Sequence, residues 1–241
     1  MTPPGSYAGR SLSPAVRSLF IILAGLMAVA GTARAQSPPP RVELTGAVLI
    51  TGGADFGTQK ATLTGNDPGD PDFTLFSTTT TLGTGVAPEA RVGVGLTRTL
   101  AVEAAFSWTR QTLDARITGD AENAPATTAT QPLSTISIGG DALVRLTSVG
   151  FAAGRGVPFV LAGGGYFRQT DDHQLELASG VYFEAGGGAR YVVAERRKGF
   201  PRQLAIRGDG RVVMRSNAFD PTGASGSHAT WAVSAGVGVG F

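Results

Sequence analysis

The chain has no cysteine among its 241 residues. That excludes a disulfide framework, thiolate chemistry and cysteine-bound metal. It has two lysines, Lys60 and Lys198, and two histidines, His173 and His228. A water-facing β-barrel exterior normally carries many lysines, which blunt strand edges and keep the surface soluble. The chain also lacks a long apolar run after residue 35, so nothing beyond that point reads as a membrane-spanning helix.

One apolar run lies before that point. Arg10 and Arg17 precede "LFIILAGLMAVAG", and Ala33-Arg34-Ala35 follows as an A-x-A site. A basic lead, a short apolar core and a small-residue exit describe a secretory signal peptide over residues 1–35, cleaved before Gln36. A retained anchor helix is the alternative. Cleavage changes the charge. The full chain has 20 basic and 18 acidic residues, and losing Arg10, Arg17 and Arg34 leaves 17 against 18. The mature chain is close to neutral, so nucleic acid is not an expected partner.

What the chain has instead is alternation. Trp231, Val233, Ala235, Val237, Val239 and Phe241 share one parity, with Ala232, Ser234, Gly236, Gly238 and Gly240 on the other. This is the two-residue period of a strand with two unlike faces. The same period runs through seven earlier segments, which begin near Val42, Glu89, Leu100, Thr135, Pro158, Val181 and Gln203. Long polar stretches at about 52–83, 112–131, 169–180 and 216–228 alternate with shorter ones around 97–99, 147–157 and 194–202. Eight strands joined alternately by long loops and short turns predict an all-β fold: an eight-stranded antiparallel up-and-down transmembrane β-barrel over residues 36–241.

Alternation alone does not say which face meets lipid. The scarcity of lysine places the apolar face outward, and so do the 35 glycines, many of them at polar-face positions. An eight-stranded ring has an interior just wide enough for side chains, where glycine makes room. Aromatic spacing agrees: ten residue steps from Trp231 to Phe241, tilted as barrel strands are, rise about 25 Å. On this reading Trp108, Phe167, Phe183 and Trp231 mark the loop end, and Phe159, Tyr191 and Phe241 the turn end. Phe159, Leu161 and Phe167 are assigned to the lipid face.

The opposite parity then collects charge in the lumen. Glu43, Glu89, Glu103, Asp141, Glu184 and Asp209 face Arg91, Arg145, Arg168, Arg190, Arg207 and Arg211, a one-for-one balance. Arginine suits forked pairing with carboxylates. The expectation is a lumen largely plugged by ion pairs.

With this pattern the chain resembles the small eight-stranded outer-membrane proteins of Gram-negative bacteria, the OmpA/OmpX and opacity-protein type. Their last strand carries an assembly signal of the form polar-x-Gly-x-x-apolar-x-aromatic, matched here by Ser234, Gly236, Val239 and Phe241. The resemblance implies an outer-membrane location and contact with outer-membrane lipid and lipopolysaccharide. It also implies recognition of the last strand by the barrel-assembly machinery. No OmpA-like peptidoglycan-binding domain follows in the sequence, so that activity is not expected.

Site signals are sparse. His228-Ala229-Thr230 lacks the serine of the lipid A deacylase His-x-Ser pair and lies at the inward parity, so catalysis is not expected. Asp67, Asp70 and Asp72 in "GNDPGDPDF" do not have Ca²⁺-loop spacing and read as turn residues. "ERRKGFPR", with Arg196, Arg197, Lys198 and Arg202, reads as a solvated charge run that could touch anionic lipid or peptidoglycan. The glycine runs precede no helix and do not form phosphate loops, so no cofactor is expected. The leading functional expectation is a non-enzymatic envelope-integrity or adhesion protein acting through its loops on an unidentified extracellular ligand. A narrow passive pore is the alternative, followed by a lipid A-modifying enzyme.

Overall fold

The computed structural model describes residues 40–63, 72–122, 124–173, 175–196, 199–216 and 227–241, with the side chains of Ser227 and His228 excepted. The expected signal peptide lies outside these residues, as do Asp67, Asp70, Arg197 and Lys198.

Ten strands are present among the described residues: β1 (Val42–Thr51), β2 (Ala54–Leu63), β3 (Phe73–Leu82), β4 (Gly85–Gly95), β5 (Leu100–Thr118), β6 (Thr127–Arg145), β7 (Gly156–Thr170), β8 (Glu176–Glu195), β9 (Gln203–Ser216) and β10 (Ser227–Gly240). Eight of them, β1 and β4 through β10, pair antiparallel in a ring. β10 closes it on β1, from Glu43 opposite Gly240 to Thr51 opposite Ala232. Closure leaves the ring no free edge, so its backbone groups are satisfied between neighbouring strands.

The faces follow the alternation. In β4 every second residue from Gly85 to Gly93 is buried, whereas Val86, Val92 and Val94 are exposed. Leu44, Val48, Val102, Phe106, Ile138, Phe183, Ile206, Trp231 and Val237 all point outward and are exposed. Glu89, Arg91, Asp141, Asp209 and Arg211 are buried inside. The molecule is thus apolar outside and charged within, the reverse of a soluble barrel.

β7 corrects the expected assignment. Phe159, Leu161 and Phe167 point inward and are buried, while Tyr166 and Arg168 point outward. Both parities of "FVLAGGGYF" are apolar, so hydrophobic period alone could not orient this strand. Its register could: Phe167 lies opposite Ser137 and Tyr166 opposite Ile138, and directly opposed residues share a face. The expected aromatic bands therefore lose Phe159 and Phe167, with Tyr166 on the outer surface instead.

The first long connection also differs. Residues 52–83 hold the hairpin β2–β3, and β3 pairs with the far end of β5, from Ser77 opposite Thr118 to Leu82 opposite Leu113. β5 and β6 remain paired as far as Ile117 opposite Thr127, so much of the expected loop 112–131 is strand as well. Runs such as Thr78–Thr81 have β-branched residues suited to strands. Both their faces are polar, which hides the two-residue period from hydrophobicity.

The ring has its own closure, so it should not depend on the hairpin. Ala54 and Leu82 are directly paired, which fits a two-residue Asn-Gly turn between them in place of residues 55–81. This truncated chain is expected to fold and keep the heat-modifiable gel shift of an intact barrel; loss of the shift would show that the hairpin is required.

Candidate functional site

The interior is layered along the barrel axis. Nearest the loop end of the strands is an apolar layer that includes Leu49, Ala87, Phe167, Tyr182, Val213 and Ala232. Nearer the turn end is a second, with Ala101, Leu143, Phe159 and Leu161. Between them lie charged side chains of β4, β5, β6, β8 and β9.

Six of these form a closed cycle. Arg91 bridges Glu89 at 3.0 Å and Glu103 at 3.2 Å. Arg207 grips both oxygens of Glu103, at 2.7 and 2.8 Å, and reaches Asp209 at 3.2 Å. Arg211 Nε approaches Asp209 Oδ1 to 2.9 Å as an ion pair without hydrogen-bond alignment. Its Nη2 returns to Glu89 at 2.8 Å. Two further acids hang from the cycle, Asp141 on Arg91 and Glu184 on Arg211, each at 3.1 Å. Ser234 adds a donor, its hydroxyl lying 2.9 Å from Asp209 Oδ2.

The cycle depends on what its neighbours lack. β1 and β10 separate β4 from β9 in the ring, and their inward residues at this height are small: Thr45, Ala47, Ser234 and Gly236. Long arginines of β9 can therefore cross to the acids of β4 and β5. Gly186 and Gly188 lie opposite Arg211 and Asp209. A Cβ on Gly188 would stand 2.6 Å from Asp209 Cβ, so only glycine leaves that space. The lower apolar layer also contributes directly, because Phe159 presents its ring face to Arg207 at 4.5 Å.

The remaining residues expected in the network lie elsewhere. Glu43 and Arg190 form a separate pair at the turn end, with Arg190 Nε 3.0 and 2.9 Å from the two carboxylate oxygens. Arg190 also donates to Gln203, a residue the charge pattern did not single out. Arg145 reaches the turn end without an ion pair among the described residues, and its Nη1 is buried without a hydrogen-bond partner. Arg168 is outside the barrel, where it meets Glu176 at 3.0 Å. One-for-one pairing is therefore corrected: three guanidiniums serve five carboxylates in the central network. Counting by strand parity could not detect this, because parity says nothing about height or distance across the lumen.

A cavity of about 30 Å³ lies beside Glu89, Glu184, Arg211 and Tyr182, space for about one water molecule. Larger cavities lie toward either end: about 310 Å³ beneath the loop-end rim and about 270 Å³ at the turns. Next to the last residue of β10, the Phe241 N–H donates to the Val42 carbonyl at 2.9 Å, and the ring stacks on Phe200 at 4.6 Å. No group of three or more histidine, cysteine, aspartate or glutamate residues suited to a metal occurs among the described residues.

Arg211 touches three buried carboxylates, so Arg211→Ala should lower stability by about 3–5 kcal/mol, because it leaves Glu184 without a cation and Glu89 and Asp209 with one guanidinium each. Arg168→Ala removes an exposed pair and should cost no more than about 1 kcal/mol. Urea unfolding of both variants in detergent micelles measures the contrast, and equal losses would contradict it.

No protein-family model and no curated protein matches the chain. Among solved structures, it is similar to Neisserial surface protein A (NspA) at 12% identity and TM-score 0.53, covering 85% of this chain and 100% of that one. A second similar structure is the outer membrane protein OprG from Pseudomonas aeruginosa, at 10% identity and TM-score 0.49, covering 86% and 98%. With its closed ring of eight strands and its likeness to the Neisserial protein, this chain has the fold of the small eight-stranded outer-membrane β-barrels.

Proposed function

We propose that the protein is an integral outer-membrane barrel with a structural or surface-interaction role and a lumen that does not conduct. A single feature supports the closed lumen: the cyclic ion-pair network lies between two apolar layers, with a cavity of about 30 Å³ beside it. A permeating ion would have to part buried pairs whose charges then lack compensation. Water-filled channels belong to barrels with many more strands.

A surface role is supported by the rigid extension above the ring. β2, β3 and the ends of β5 and β6 form one paired sheet, with Leu63, Phe73 and Ile117 exposed on it. Such a platform holds loop residues in place for an extracellular partner. The narrow-pore reading draws on the cavities at both ends, but the network stands between them.

Purified protein in planar bilayers is expected to show little or no steady conductance. Stable, ion-selective currents of porin size would reverse the order of the two readings.

Ser234, Gly236, Val239 and Phe241 also serve, in this reading, as the signal taken up by the barrel-assembly machinery. Deleting Phe241 removes the terminal aromatic and its stack on Phe200. The deletion variant should accumulate in the periplasm or be degraded, as fractionation would show; normal surface assembly would refute the signal role.

A further inference from the structure

Among the described residues, the turn-end cavity gathers four arginines with few acids to match them. Its volume is about 270 Å³, and its lining includes Arg98, Arg145, Arg155, Arg190, Glu195 and Gln203. Three separate segments bring the arginines together. Arg98 lies in the β4–β5 turn, Arg145 ends β6, and Arg155 follows the short helical turns between β6 and β7. Backbone bonds hold the frame: Arg145 N–H donates to Thr99 O at 2.7 Å, and Val192 N–H donates to Arg155 O at 2.9 Å.

Arg190 is engaged by Glu43 and Gln203, and Gln203 Nε2 in turn lies 3.3 Å from Glu195. Arg145 is different. Its Nη1 is buried with no hydrogen-bond partner among the described residues, although buried guanidiniums are ordinarily paired. Four guanidiniums facing the carboxylates of Glu43 and Glu195 leave two positive charges over. A cavity this size, with excess charge of plus two and forked donors from several directions, suits the tetrahedral oxygens of a phosphate, a dianion as the free ion and a monoanion as a phospholipid diester.

We propose that the turn-end cavity binds a phosphate group, with Arg145 as its central ligand and Arg98 and Arg155 closing on it from the turns. The site is independent of the central network, because the apolar layer of Leu143, Phe159 and Leu161 lies between them. Two sources present the same chemistry, free phosphate and the headgroup of a phospholipid, and they can be separated by experiment.

The test is thermal unfolding of the full barrel in phosphate-free nonionic detergent, with inorganic phosphate in one arm and micelles containing phosphatidylglycerol in the other. Wild type is expected to gain about 5–10 °C at a hundredfold excess over Kd in at least one arm. A gain with inorganic phosphate identifies a free-ion site. A gain only with phosphatidylglycerol identifies a headgroup site. Arg145→Gln should lose the gain and, without ligand, unfold no lower than wild type, because it removes an uncompensated charge. Arg155→Gln, on an exposed turn, should weaken the gain and serves if Arg145→Gln fails to fold. Arg168→Gln, outside the barrel at the other end, should keep the full gain. No gain in either arm would overturn the proposal, as would equal gains in wild type and both cavity variants.

Discussion

An eight-stranded ring leaves an interior that side chains alone can fill, and much of this structure follows from that limit. Every inward residue must share a narrow space with residues from the opposite wall. Three arginines and five carboxylates do so by joining into one network, in which Glu89, Glu103 and Asp209 each serve two guanidiniums. Sharing of this kind needs side chains to cross the lumen, and crossing needs small residues in the path. The glycines of β8 and β10 are therefore part of the electrostatics as much as of the packing.

The apolar layers above and below the network have a related role. They exclude water from the ion pairs, which strengthens the attraction and raises the cost of leaving any member unpaired. Aromatic rings within them also receive guanidiniums, Arg207 on Phe159 and Arg215 on Phe167. This accounts for large apolar side chains inside a barrel whose outer surface is also apolar. The lumen is a core in its own right, with polar and apolar strata.

The two ends of the barrel differ in what they offer. At the loop end, the paired strands continue past the ring into a threonine-rich sheet, stiffening a region that is usually irregular. At the turn end the excess charge is positive: Glu43 holds Arg190, while Arg145 stands apart. The middle of the barrel shares three guanidiniums among five carboxylates, and the turn end has cationic groups to spare.

Much of the fold was legible in the sequence, because closing strands between two unlike environments imposes a two-residue period that the order of residues reveals. The scarcity of lysine and the inward glycines settled which face points outward for seven of the eight ring strands. β7 was not legible, because both its parities are apolar and only pairing with β6 orients it. The hairpin β2–β3 was hidden for the converse reason, its threonine-rich run placing polar residues on both faces. Residues such as Glu89 and Arg211 could be placed in the lumen from parity. That they close into a cycle, that Arg168 lies outside and that Arg145 is left unpaired depended on register, height and distance across the ring. Those quantities exist only once the strands have closed, because closure brings β9 opposite β4 and β5 although they are far apart in the chain.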